Sequence, residues 1–182
     1  KFMGFRRCIA NYWNNEARKL NGEIEIDESY FGGKRKGNRG RGAKNKTIVF
    51  GILERKGKVH TVIVQDVSAK TLMNEIKNKT KKGSVFYTDG WKSYASLEQY
   101  GKHNIIDHDK ELVDNNHNHI NGIEGFWSFA KERFHKYHGI SKTNYPLYIK
   151  EMEFRFNHRN INVYNLLIDI CIVRGQFSAE LH

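Results

Sequence analysis

The sequence predicts an α/β fold: a mixed sheet of about five strands flanked by helices, in the order βββαβαβα followed by a last long helix. Three observations predict it. Alternation of apolar and polar residues with period two starts at Glu23 and returns as strand-like runs at Thr47 and Lys58. Short apolar runs at Val85 and Asn104 are separated by helix-patterned segments, and residues 119–136 carry a strong helical period. A chain of 182 residues is about one domain's worth and long enough to bury a real core.

The elements follow in order. Phe2, Phe5, Ile9, Trp13 and Leu20 recur at near-helical spacing, so a helix is expected over 2–20, ending near Asn21-Gly22. Ile24 and Ile26 alternate with Glu23, Glu25 and Asp27 in a strand closed by Gly32-Gly33. Thr47–Leu53 and Lys58–Val64 form the next two strands around a tight turn at Lys56-Gly57, which makes an antiparallel meander. Ser68 is placed to N-cap a helix over 70–79, with Leu72 and Ile76 on its buried face. Val85–Thr88 is a short strand ending at Asp89-Gly90. A brief helix over 93–100 leads to a strand at 104–106, and a polar loop, 107–118, precedes the helix at 119–136. Pro146 suits the first turn of a last helix reaching Arg159.

Composition narrows the function. Lys and Arg number 31 against 20 Asp and Glu, a formal charge of +11, which suggests a polyanionic partner. With 38% hydrophobic and 13% aromatic residues the chain is not a disordered polyelectrolyte. Cys8 and Cys171 form no CxxC pair, which excludes a zinc ribbon or a disulfide framework and fits a reducing cytoplasm. No apolar run approaches the roughly 20 residues that span a bilayer, since Asp169 interrupts 166–173, and no signal-peptide pattern is present. A start at Lys1 rather than Met leads to the expectation of a fragment.

Three carboxylates stand out. Asp27 lies on the first strand and Asp89 at the end of the fourth; taken singly, each reads equally well as a turn residue. On the helix that follows, Glu124, Ser128, Lys131 and His135 fall within about 60° of one another as a polar stripe. The neighbouring stripe, Ile123, Trp127, Ala130 and Phe134, is apolar and can dock the helix on a sheet. Geometry alone also allows Glu124 and Lys131 to be a solvated pair. Acids from two strands and a helix are nevertheless the donors that two magnesium ions would need for phosphoryl transfer.

These residues carry a resemblance. Asp-Glu-Ser-Tyr-Phe-Gly-Gly-Lys at 27–34, Tyr-Thr-Asp-Gly at 87–90, His-Ile-Asn-Gly-Ile-Glu-Gly-Phe-Trp at 119–127 and Phe-Arg-Phe-Asn-His-Arg at 154–159 resemble bacterial insertion-sequence DDE transposases of the ISXO type, related to the eukaryotic Merlin elements. The likeness runs from about residue 20 to 160. It implies an RNase H-like fold and metal-dependent cleavage at element ends, followed by transfer of the freed 3′-hydroxyl into target DNA. It also implies that Asp27, Asp89 and Glu124 ligate two Mg²⁺ or Mn²⁺ ions and that Lys131 contacts a phosphate. Some members carry Asn or His in place of the third acid, so Asn121, about 60° from Glu124, is the runner-up. The implied partners are double-stranded DNA, at element ends and target, and further copies of the chain in a synaptic complex, without a membrane. The implied location is the bacterial cytoplasm, on the nucleoid.

Read this way, residues 1–21 are a helical remnant or linker from an upstream DNA-binding region, 22–160 the catalytic domain and 161–182 a C-terminal helical tail. The family usually carries a zinc ribbon and a helix-turn-helix ahead of this domain, and no cysteine pair stands here. The expectation is therefore catalytic chemistry without specific end recognition. Lys34, Arg35, Lys36, Arg39, Arg41, Lys44 and Lys46 form an acid-free loop directly after the strand bearing Asp27. They supply seven of the eleven net charges and are assigned to DNA phosphates, against the alternative of a solvated hairpin tip. The lysines at 77, 79, 81 and 82 read as an exposed helix end and receive no site. The remaining readings are an HNH nuclease built on His117-Asn118-His119, an inactive DNA-binding remnant of a decayed element, and a cellular RNase H-like nuclease. Trp91, Trp127 and Tyr30 are candidates for base stacking, with the core the stronger reading for Trp127.

Overall fold

The computed structural model describes residues 2–15, 18–32, 46–89, 92–106, 119–137 and 139–173. The chain divides into two compact units, 19–138 and a second one built from 1–18 with 139–182. Residues 139–160, grouped on sequence with the catalytic domain, cluster with the second unit.

The first unit holds a five-stranded sheet in the order β3-β2-β1-β4-β5. Its strands are β1 (Glu23–Phe31), β2 (Thr47–Glu54), β3 (Val59–Val64), β4 (Val85–Asp89) and β5 (Lys102–Ile106). β1, β2 and β3 pair antiparallel, with Asp27 opposite Gly51. β4 joins β1 in parallel, and β5 joins β4 in parallel. A meander extended by two parallel strands on the other side of β1 is the RNase H-like arrangement. Each parallel step uses a helical crossover. The first crossover contains α2 (Ala69–Lys79) and the second a 3₁₀ helix, η1 (Lys92–Gln99). Ser68 caps α2 as expected, its hydroxyl accepting from the Thr71 N–H at 3.3 Å.

β1 is covered on both faces. Ile24 and Ile26 point into a core with Phe50, Ile52, Leu72, Ile76, Phe86, Tyr94 and Leu97, beneath α2 and η1. The alternate residues, Glu25 and Asp27, face α3 (Asn121–Lys136). α3 seats its predicted apolar stripe, with Ile123, Trp127 and Ala130 buried and Phe134 half-buried, while Glu124, Ser128, Lys131 and His135 are exposed. Trp127 can lie so close because position 51 has no side chain: a Cβ there would stand 2.6 Å from the Trp127 Cζ2.

The second unit packs α1 (Phe2–Asn15) against α4 (Tyr145–Asn157), α5 (Val163–Ile168) and a π-helical turn (Asp169–Val173). Cys8, Ile9, Tyr12, Phe154, Ile170 and Cys171 form its core, and both cysteines are free thiols. Arg6 donates from Nε to Glu151 at 2.7 Å, and Glu151 also accepts from Arg155.

One element is shorter than its periodicity suggests. α1 stops at Asn15, and Leu20 forms an isolated parallel bridge with Thr80. Its N–H donates to Lys79 O and its carbonyl accepts from Lys81 N, so long-range pairing takes the backbone groups a helix would have used.

Gly51→Ala is expected to lower stability by about 1–3 kcal/mol, because the added methyl overpacks the Trp127 contact. A urea-unfolding midpoint equal to that of the unchanged protein would remove this account of Gly51.

Candidate active site

The site lies where β1 and β4 run side by side. The parallel register pairs Ile24 with Phe86 and Glu25 with Tyr87. Two further steps along each strand carry Asp27 and Asp89 toward each other, on the face covered by α3. Asp27 accepts the backbone N–H of Glu28 at 2.8 Å and the indole N–H of Trp127 at 3.0 Å. Burial pushes its carboxyl up to about 7, helped by the negative charges of Glu28 and Asp89. Asp89, at the last position of β4, buries its Oδ1.

A third acid stands on the other face of β1. Glu28, 8% exposed, accepts from the Tyr94 hydroxyl at 2.9 Å. Burial, followed by the charges of Glu28, Asp27 and Asp89, holds the Tyr94 phenol well above its ordinary range. Tyr94 is therefore a hydrogen-bond donor that stays protonated, fixing Glu28 beside the aspartates. The concentration of negative charge destabilises itself unless a cation neutralises it.

A separate network orients α3. Glu25 is 1% exposed and accepts from Arg55 Nε at 3.0 Å and from the Ile123 N–H, in the first turn of α3, at 2.8 Å. Arg55 also donates to the His119 carbonyl and lies 3.6 Å over the ring centroid of Tyr87. His119 Nδ1 is 3.7 Å from Glu25. A carboxylate suits this place because the free N–H groups and the dipole of a helix N-terminus favour negative charge. Gly122 makes room for it, since a Cβ there would meet the Glu25 Oε2 at 2.8 Å.

The structure thus brings Asp27 and Asp89 together and leaves Glu124, Asn121 and Lys131 exposed along α3. Among the described residues, no three His, Cys, Asp or Glu side chains gather closely enough to share a metal ion. Lys34, Arg35, Lys36, Arg39, Arg41 and Lys44 lie outside the described residues, as do Trp91 and His117; Lys46 is exposed just before β2. Trp127 is a core residue, 4% exposed, and Tyr30 is half-buried. Glu25, Glu28, Arg55 and Tyr94 were not singled out by sequence patterning, nor was the polar contact of Trp127.

A family model, the ISXO2-like transposase domain, matches residues 19–157. The chain belongs to that family. A relative from Haemophilus influenzae, described as an uncharacterized transposase-like protein, is 43% identical over 107 residues, 58% of this chain and 86% of its own length. Among solved structures, the catalytic domain of Mos1 mariner transposase is similar at 10% identity with a TM-score of 0.49, covering 97% of this chain and 88% of that one. The HTLV-2 integrase catalytic core domain, solved with magnesium in a trimeric form, has 12% identity and a TM-score of 0.46, covering 81% and 92%. The family match spans the whole sheet, α3 and α4 of this ISXO2-like chain. No helix among the described residues is long and apolar enough to cross a membrane.

Two outcomes test this geometry. Asp27 has a folded-state pKa of about 7 against an ordinary 3.8, so between those values the folded chain binds more protons than the unfolded one. Stability of the metal-free protein should therefore fall as pH rises through that window, and Asp27→Asn should flatten the fall. A urea midpoint with the same pH slope in both proteins would contradict it. Glu25→Ala should cost about 1–3 kcal/mol, because it leaves the buried Ile123 N–H without its acceptor and Arg55 with only the exposed Glu23, 3.2 Å away, as counter-charge, read from the same unfolding transition; a loss below about 0.5 kcal/mol would contradict the anchoring role.

Proposed function

We propose that this ISXO2-like chain carries the catalytic centre of a DNA transposase, which cleaves phosphodiester bonds at element ends and transfers the freed 3′-hydroxyl into target DNA. The observation that carries the reading is the meeting of Asp27 and Asp89 on neighbouring parallel strands, where each adds negative charge to a partly buried site. Hard oxygen donors under mutual repulsion fit Mg²⁺ or Mn²⁺, and Asp27 and Asp89 would hold it, with Glu124 supplied from α3 and Asn121 as its runner-up. Two such ions, when bound, favour attack by an oxygen nucleophile and stabilise the leaving oxygen.

The chain's own residues prepare that chemistry. The Trp127 N–H holds one oxygen of Asp27 and the Glu28 N–H the other, which limits rotation of the carboxylate. Tyr94 restrains Glu28 on the opposite face. Glu25 and Arg55 fix the first turn of α3, the turn that carries Glu124. Lys131, exposed on the same stripe, contacts a DNA phosphate, and the basic residues from Lys34 to Lys46 bind further phosphates. Double-stranded DNA is the substrate, and two ends are held by more than one copy of the chain. The protein acts on the bacterial nucleoid.

The test is strand transfer from pre-cut DNA ends by the purified chain with Mg²⁺ or Mn²⁺. Asp89→Asn should reduce joining by at least the 10–100-fold that is typical of losing even an indirect metal contact, with nonspecific DNA binding nearly intact. Glu124→Gln should behave alike and Asn121→Ala should not. Equal loss of binding and joining in Asp89→Asn would refute its catalytic role, and the reverse order of the two α3 variants would transfer the third position to Asn121. Cleavage of RNA in hybrids without joining would identify a nuclease instead.

A further inference from the structure

α2 and η1 enclose a second feature on the sheet face opposite α3. The groove between them has a volume of about 480 Å³. Lys70 and Lys77 of α2 and Lys82 of the following turn line one side, with Ser96, Gln99 and Tyr100 on the other. Among the described residues no acid lines it: Glu75 and Glu98, the acidic residues of the two elements, are absent from its wall. All three lysines are exposed, and none is ion-paired with a described residue.

Helix electrostatics does not account for this charge. Lysines near the C-terminus of α2 complement its dipole, but Lys19 already donates from Nζ to the Lys77 carbonyl at 2.8 Å, and Lys79 stands in the same turn. Lys70 lies in the first turn, where the dipole disfavours a cation and which itself carries no acid, the carboxylate of Asp66 before the cap accepting from the Ser68 N–H. Packing does not explain it either, because Leu72, Met73 and Ile76 form the buried face of α2. Lys70 and Lys77 are seven residues apart on one helix face, about 10.5 Å along the axis, or roughly three nucleotide rises of a DNA strand. Across from them, Ser96 and Gln99 present uncharged hydrogen-bonding groups of the kind that contact phosphate oxygens. Tyr100 is held in place by its hydroxyl, which donates to the Thr80 carbonyl at 2.8 Å.

The groove also has a direction. α2 begins just after β3, and the end of β3 pairs with Ile48, itself opposite Tyr30 of β1. η1 begins shortly after Asp89. Both elements therefore start at the end of the sheet where β3 stops and β4 closes with Asp89, and run away from it.

We propose that the α2–η1 groove is a second DNA-backbone site, binding a phosphodiester strand other than the one whose bond lies at Asp27 and Asp89. The identity of the polyanion rests on the DNA-processing reading above; the site itself rests on the lysines and the groove.

The test measures binding alone. A labelled duplex of arbitrary sequence is titrated in EDTA at salt from about 50 to 300 mM, and the log-log salt slope is taken for each protein. K70Q/K77Q/K82Q should flatten the slope by about 2–3, near 0.9 per lost phosphate contact, and weaken binding at least about tenfold at the lowest salt. K56Q/K102Q/K142Q removes the same charge elsewhere and should change the slope far less. An unchanged slope in the groove variant, or an equal change in the control, would overturn the site. Competition by inorganic tripolyphosphate that depends on these lysines, with no change in the duplex slope, would overturn the DNA assignment in favour of a small phosphate ligand. Strand transfer is not needed for either result. If the slope flattens but the unchanged protein joins no ends, the groove stands and the catalytic proposal falls; the opposite pair of results removes only the groove.

Discussion

The buried carboxylate of Glu25 organises the site. A carboxylate with 1% exposure must have its oxygens answered locally, and they are answered twice: by the Arg55 guanidinium and by the Ile123 N–H in the first turn of α3. Meeting that demand fixes where α3 begins over β1. Once the helix start is set, its 3.6-residue repeat carries Ile123 and then Trp127 over Gly51, and the Trp127 indole reaches Asp27. The placement of one carboxylate thus follows from the neutralisation of another two residues earlier on the same strand.

β1 assigns different work to its two faces. Ile24 and Ile26 supply the apolar core beneath α2 and η1, while Glu25 and Asp27 meet α3. Glu28 breaks the division, since it lies on the core side, where the Tyr94 hydroxyl donates to it. Acids on both sides of one strand raise the cost of ionising Asp27, which is the condition under which a bound cation gains most.

Much of the fold was legible because period and punctuation agree. The Ile24 and Ile26 alternation, the Lys56-Gly57 turn, the Ser68 cap and the Ile123, Trp127 and Ala130 stripe each specify an element that the structure contains. Glu25 was not legible, for a physical reason. An alternating strand ordinarily has one solvated face, where Glu23, Glu25 and Asp27 would stand, but the central position of β1 puts a helix over that face as well. Burial of Glu25 depends on Arg55 and on the missing side chain of Gly122, which are distant in sequence and carry no periodic signal. The 2–20 helix was overextended because Leu20 fits the helical period while its backbone is used by Thr80's neighbours. Asp27 and Asp89 could be picked out by position and motif; their shared charge became visible only once the parallel register was known.

The parallel pairing of β1 with β4 also has a consequence for the order of events on the ribosome. Asp27 and Asp89 belong to strands separated by the whole meander and α2, so the pair cannot meet until the first crossover has closed. A nascent chain that has emerged only as far as α2 can form the antiparallel hairpins but contains one of the two aspartates. Interrupted synthesis therefore yields a partial sheet with an incomplete acid pair, and the site between β1 and β4 cannot assemble until the β4 strand has been made and has docked.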